Sequence, residues 1–268
     1  YDRAKVQSSS SIFGDKNSFS YKNLYKTSND YSGLKNTELS LVNSDAFVAT
    51  TEYSLTDIFI IAIVFLLCVY LFQYEREKGL YSLVRCTKFG RFKTIISKFM
   101  LLFVLSAVVS ILFIFCNFII NTFLYGSTDL SVNIQSISEF RNCTLTVTAG
   151  QFLILFAFAK IMGTFVISSF LALVFIIFSS SATMYLTGLV IIGAEYLLYT
   201  LIVQNSFLNL LKYINIFYIL DGGEFFGSYL NLNIFSNAVA SIPIAFAVFG
   251  TVFLLCTVFS CILFCKRD

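Results

Sequence analysis

The stretch 55-LTDIFIIAIVFLLCVYLFQYEREKGLYSLVRCTKFGRFKTIISKFMLLFVLSAVVSILFIFCNFIINTFLY-125 holds two long apolar runs joined by a short basic connection. Leu55 to Tyr74 and Phe99 to Tyr125 each reach the roughly 20 residues that a helix needs to cross the hydrocarbon core. A helix is required because lipid offers backbone amides and carbonyls no partner outside the segment. Between the runs, Glu75 to Lys98 carries Arg76, Lys78, Arg85, Lys88, Arg91, Lys93 and Lys98 against only Glu75 and Glu77. Connections this basic stay on the cytoplasmic side. The stretch reads as a helical hairpin across a membrane with its turn inside.

The rest of the chain has the same character. Its 268 residues are 57% hydrophobic and only 12% charged, with a mean hydropathy of +0.82. A water-soluble domain carries about a quarter charged residues, so this composition excludes one. Three more runs are long enough to span: Gln151 to Phe178, Thr183 to Val203, and Ala238 to Phe264. The predicted fold is an all-α polytopic membrane protein with a transmembrane domain over 55–265 and spans at 55–74, 99–125, 151–178, 183–203 and 238–264. Gly126 to Gly150 has Arg141 as its one basic residue and falls outside the cell membrane. Alternation puts Ser179 to Ala182 inside, 204–237 outside, and Lys266 and Arg267 inside.

This topology places residues 1–54 outside, where six basic residues balance six acidic ones. With no initiating Met, no signal peptide and an odd number of spans, a further span is expected upstream of Tyr1, making six. Residues 1–54 would then form most of a large loop between spans one and two. Their Phe13, Phe19, Tyr21, Tyr25 and Tyr31 suit a small folded cap, and their Ser and Asn suit a mobile loop.

Chemistry of the common catalytic kinds is disfavoured. There is no His, the usual general base and metal ligand near neutral pH. Of the seven cysteines, five lie within or at the ends of apolar runs and read as small hydrophobes; only Cys143 falls in an outer segment, so no outer disulfide framework is available. Cys261 and Cys265, one helical turn apart, do not make a zinc pattern. The chain also lacks a Gly-rich phosphate loop ending in Lys-Ser/Thr. It is not itself an ATPase, and no metal or cofactor is expected in it.

In 74-YEREKGLYSLVRCTKFGRFKTIISKFM-100, apolar residues at Leu80, Leu83 and Val84 and then at Phe92, Ile95, Ile96 and Phe99 keep helical spacing on either side of Gly90. The expectation is two short amphipathic helices along the inner leaflet, either touching lipid phosphates or forming a docking surface. The same segment resembles the permease subunits of ABC-2 type transporters, particularly those of low-GC Gram-positive bacteria. The shared features are an acidic pair followed by Gly (Glu75, Glu77, Gly79), a Leu-rich turn, Thr87 and Lys88 before Gly90 and Arg91, and Ser97-Lys98 entering the next span. A second patch, 212-KYINIFYILDGGEFFGSYLNLNIFSN-237, is similar through Tyr213, Ile214, Asn215, Tyr229, Asn231 and Leu232, and it includes Asp221 and Glu224. The resemblance covers about residue 55 to the end.

That resemblance implies an ABC-2 (type V exporter-like) transmembrane domain working as a homo- or heterodimer of permeases with cytoplasmic ABC ATPase subunits, which bind the ATP and Mg. Segment 75–98 would couple the two, through Glu75, Glu77, Gly79, Thr87, Gly90, Arg91 and Lys98. Nucleic acid is not an expected partner; membrane lipid is. The expected activity is export of an amphipathic peptide, toxin or lipid-like substrate across a bacterial cell membrane. The alternatives are a mechanotransmitting permease, or a peptide sensor or immunity protein that passes no substrate.

Two ionisable residues lie deep in apolar runs, where burying charge is costly. Lys160 is nine residues below Gln151 and Glu195 eight below Val203, so both sit about 12–14 Å deep at about 1.5 Å per residue. Matching depths predict a Lys160–Glu195 salt bridge between adjacent spans. The apolar positions before Asp221 predict a short helix dipping into the outer leaflet within 204–237. Pro243, the one proline, falls in the first turns of the last span, where a missing amide costs least.

Overall fold

The computed structural model describes residues 16–35, 37–79, 90–178, 180–204, 211–212 and 214–266. Most of the chain is helical, and five helices are long and apolar enough to cross a membrane. In order, α1 is Phe19–Asp30, α2 Asp45–Thr51, α3 Leu55–Glu77, α4 Gly90–Tyr125, α5 Ala149–Ile177 and α6 Ser181–Gln204. Two small helices follow, α7 at Ile216–Leu220 and α8 at Gly222–Gly227, then strands β1 at Asn231–Ile234 and β2 at Asn237–Ala240, then α9 at Ser241–Lys266. The long helices are α3, α4, α5, α6 and α9.

Helix α5 is the hub, packing on α3, α4 and α9 and, at its middle, on α7, where Gly163 faces Ile219 and Leu220. Its composition explains why. Ala159, Gly163, Thr164, Ser168, Ser169 and Ala172 are all buried along it, and small side chains let neighbouring backbones approach where no hydrophobic force acts between helices in lipid. Its buried hydroxyls turn inward onto their own helix: Ser169 Oγ donates to the Val166 carbonyl at 2.9 Å and Thr164 Oγ1 to that of Ile161 at 2.8 Å. The start of α5 is fixed by a capping box, in which Thr148 Oγ1 accepts from the Gln151 amide and the Gln151 side chain accepts from the Thr148 amide. Helices α4, α6 and α9 turn large apolar side chains outward, among them Phe115, Leu189 and Leu254. A soluble protein rarely presents such a continuous surface.

Helix α4 differs from expectation at its first end. It runs unbroken from Gly90, with no Gly or Pro after that residue, so Phe92 to Phe99 form the opening turns of a 36-residue helix rather than a separate surface helix. Residues 80–89, which hold the first expected amphipathic helix, lie outside the described residues. Glycine is required at Gly79, where φ is +66° just past the end of α3.

At the opposite end, three segments distant in sequence close into one layer. Phe47 of α2, Phe140 of the 138–140 turn, Phe152 of α5 and Phe226 of α8 form a ring cluster with centroids 4.6–5.9 Å apart. Helix α1 lies on the hairpin, with Lys22 Nζ donating to Asn237 Oδ1 at 2.9 Å and Asn231 Nδ2 to Asn23 Oδ1 at 2.8 Å. The Tyr31 hydroxyl donates to the Asn142 carbonyl at 2.6 Å. Residues 37–54 are tied in by Asn133 Nδ2 on the Glu38 carbonyl and Asn43 Nδ2 on that of Tyr125. The β1–β2 hairpin is a departure from an all-helical chain. Its turn uses Phe235 and Ser236, both at positive φ (48° and 61°), where hairpins favour Asn-Gly. Those strands take up residues 238–240, so the last helix starts at Ser241 with Pro243 in its first turn.

Candidate functional site

The two deep charges do not meet each other. Lys160 Nζ donates to Asp57 Oδ1 at 2.6 Å, and both side chains are essentially inaccessible. Asp57 Oδ2 accepts the Ser54 amide at 3.0 Å, so the carboxylate caps α3 while it holds the lysine. The Lys160 ammonium also lies 4.7 Å from the Phe156 ring centroid. The predicted Lys160–Glu195 bridge is therefore corrected to Lys160–Asp57. Equal depth along two helices does not make them neighbours: α5 packs broadly on α3 and only marginally on α6. Helical side chains also lean toward their own N-terminus, which carries the Lys160 ammonium up toward the start of α3.

Glu195 instead serves α7. Asn215 Nδ2 donates to the Glu195 carbonyl at 2.8 Å and to its Oε2 at 3.0 Å, while Asn215 Oδ1 accepts the Tyr218 amide as the N-cap of α7. One asparagine thus starts α7 and anchors it to α6. All five residues of α7 are buried; residues 205–210, which carry much of the apolar spacing that predicted a short helix dipping into the outer leaflet, lie outside the described residues.

At the end rich in Lys and Arg, Lys98 Nζ donates to the Leu71 carbonyl at 2.7 Å and Arg91 Nη1 to the Cys265 carbonyl at 3.1 Å. Arg91 meets the last turn of α9, where orphan carbonyls and the helix dipole favour positive charge, whereas Lys98 meets a carbonyl inside α3, six residues before its end. Lys98 is buried, also facing the rings of Phe72 and Phe264. These two residues tie α4 to α3 and α9. Gly90 opens α4, Gly79 closes the turn after α3, and Glu75 and Glu77 lie in the last turn of α3, their side chains outside the described residues. Thr87 and Tyr213 also lie outside them.

The capped end carries an open cavity of about 500 Å³. Glu52, Glu139, Asp221 and Glu224 line it with Tyr53 and Tyr199. Asp221 Oδ1 accepts the Glu224 amide as the N-cap of α8, and Oδ2 accepts the Tyr199 hydroxyl at 2.6 Å. Burial pushes the Asp221 carboxyl above its usual range, with the Glu224 charge adding to the rise; the Tyr199 hydroxyl and the Glu224 amide pull against it. Lys212 Nζ lies 3.8 Å from Glu224 Oε2. Asp221 and Glu224 stand out in the sequence, whereas Glu52, Glu139, Tyr53 and Tyr199 do not. They come from separate segments and carry no shared spacing; only the folding of residues 37–54 and 126–148 onto α8 gathers them.

Glycine is structural at this cavity. A Cβ at Gly227 would lie 2.6 Å from the Glu139 carbonyl oxygen, a backbone atom that cannot swing aside. Gly227→Ala is expected to destabilise the cap by about 1–3 kcal/mol through overpacking, read as a lower thermal unfolding midpoint in detergent. Gly193→Ala, where a Cβ meets open space, serves as the silent control.

Among the described residues, no group of three or more His, Cys, Asp or Glu is placed to hold a metal ion. Comparison with protein-family models, curated proteins and solved structures gives no match.

Proposed function

We propose that the chain is a permease subunit of an ATP-driven ABC-2 type transporter, with a type V exporter-like transmembrane domain, acting with a second permease subunit and cytoplasmic ATPase subunits. It exports an amphipathic peptide, toxin or lipid-like substrate across a bacterial cell membrane, with the basic end inside and the cap outside. The observation that carries this is the construction of the basic end. Helix α4 has 36 residues, about 54 Å at 1.5 Å each, against a hydrocarbon core of about 30 Å. Its opening turns are bolted to α9 through Arg91 and to α3 through Lys98. A force applied to the connection before Gly90 would reach three spanning helices at once, which suits rigid-body coupling to an external motor.

Affinity purification of the full-length protein from its native membranes tests this. An ABC ATPase is expected in stoichiometric amount, with hydrolysis that falls several-fold in Arg91→Glu while the complex stays assembled. Recovery of the chain with no ATPase would overturn the transport reading. The folded cap and its cavity favour one alternative, a sensor or immunity protein that captures a peptide from outside, and that same outcome would leave it standing.

A further inference from the structure

At the basic end, the last turns of α3 and the first turns of α4 part to leave an open cavity of about 450 Å³, within the roughly 300–1,000 Å³ range of ligand sites. On the α4 wall Lys93, Thr94 and Ser97 come first, and Leu101 follows, about 12 Å beyond Lys93 at about 1.5 Å per residue. Helix α3 runs the other way, so Tyr74 lies toward the charged mouth, with Tyr70 and Leu71 one turn toward the leucine. Both walls therefore grade from polar to apolar in the same direction. Past Leu101 the gradient continues as open surface, with Val104 on α4 and Leu66 on α3 both exposed. Helix α4 begins at Gly90, nine residues before the apolar run at Phe99, so the cavity straddles the level where hydrocarbon gives way to headgroups.

Lysines at that level are ordinary. The hydroxyls of α4 are the independent sign. Ser106, Ser110 and Thr122 each donate to the carbonyl four residues back, at 2.7–2.8 Å. Thr94 and Ser97, the two remaining Ser or Thr residues of this helix, make no such bond among the described residues, and both line the cavity. Lys93 is exposed and forms no ion pair among the described residues. Lys98, at the back, adds its charge while it holds the Leu71 carbonyl.

The lining also selects the kind of ligand. An ammonium beside two hydroxyl donors matches a phosphate, whose several oxygens accept together. No described lining residue is acidic, so nothing there receives the ammonium of a zwitterionic headgroup. A free phosphate would use the mouth alone, whereas the tyrosines and leucines extend the site toward acyl chains, and Tyr is favoured at headgroup level. We infer that this cavity binds the phosphate of an anionic phospholipid. Lys93 pairs with one phosphate oxygen, Thr94 and Ser97 donate to others, and the acyl chains descend over Leu101 along Val104 and Leu66. The lipid bridges α3 and α4 beside the joint that Lys98 makes. This goes beyond the transport reading and does not rest on it.

The test titrates the delipidated full-length chain in detergent with dioleoylphosphatidylglycerol, read by native mass spectrometry and by the unfolding midpoint. Saturable one-to-one retention is expected, with a midpoint that rises with lipid concentration. Dioleoylphosphatidylcholine should bind at least about tenfold more weakly, and glycerol 3-phosphate should not compete at equal concentration. The Lys93→Gln/Thr94→Val/Ser97→Ala variant should keep the lipid-free midpoint and lose at least about tenfold in phosphatidylglycerol affinity. Lys93→Gln alone, at an exposed position, should lose several-fold. Lys266→Gln makes the same charge change at an exposed position on the end of α9 and should leave affinity unchanged. Equal losses in the Lys93 and Lys266 variants would show diffuse attraction to a basic surface and overturn the proposal. Full competition by glycerol 3-phosphate would overturn it in favour of a free-phosphate site, and equal retention of phosphatidylcholine would overturn it outright. Recovery of the chain without an ATPase would remove the transport reading and leave this result standing.

Discussion

Replacing Asp57 with Ala is expected to cost about 3–5 kcal/mol, the largest loss of any single charge change in the chain, because it strands the Lys160 ammonium where neither water nor another carboxylate reaches it. The lysine is 1% exposed, and the Phe156 ring face at 4.7 Å is a weak substitute for a carboxylate at 2.6 Å. Asp57→Asn separates the two duties of this residue, since an amide oxygen can still accept the Ser54 amide and so keep the start of α3. It should lose most of the same stability. Lys160→Met in the Asp57→Leu background should recover much of it, because a buried pair replaced by apolar groups of similar size is often neutral. Glu195→Gln retains an acceptor for Asn215 and is expected to stay within about 1 kcal/mol of the parent. Denaturant titration in mixed micelles reads all four. Equal damage from the single and double changes at 57 and 160 would show that the pair is not the source of the loss.

That pair also shows what a sequence of this kind reveals and conceals. The five long helices are legible because spanning lipid imposes a length and a composition that few residues can evade. Lateral neighbours carry no such constraint. Asp57 has the marks of an ordinary acidic residue in a first helical turn, and its charge partner lies 103 positions away. The start of α4 at Gly90 is hidden for a different reason: Arg91, Lys93 and Lys98 look like a polar surface face, whereas two of them spend their charge on the carbonyls of Cys265 and Leu71. The hairpin is not legible because Phe235-Ser236 carries none of the usual turn chemistry; its positive φ goes with a local bond, Asn233 Oδ1 accepting the Ser236 amide at 3.0 Å. The acidic cavity is the extreme case, since its lining residues become a set only after the cap has folded.

The cap in turn depends on Phe152, and Phe152→Ala is expected to destabilise the protein by about 3–5 kcal/mol, the usual range for emptying a fully buried ring position. Its ring lies 4.6 Å from Phe140, 5.2 Å from Phe226 and 5.9 Å from Phe47, so one side chain on α5 joins the 138–140 turn, α8 and α2. Each partner is one or two residues from a cavity carboxylate or in the helix just before one: Glu139 adjoins Phe140, Glu224 precedes Phe226 by two, and Glu52 follows α2. Losing the ring therefore loosens the cavity walls while the lower parts of the long helices keep their own contacts. Limited proteolysis from the cap side should cut residues 126–148 several-fold faster. Phe123→Ala, at a ring 86% exposed on α4, removes as much aromatic surface and should change neither. If both variants lose stability equally, the cap is held by general apolar contact instead of by this cluster, and the carboxylates would need some other framework to keep them around one cavity.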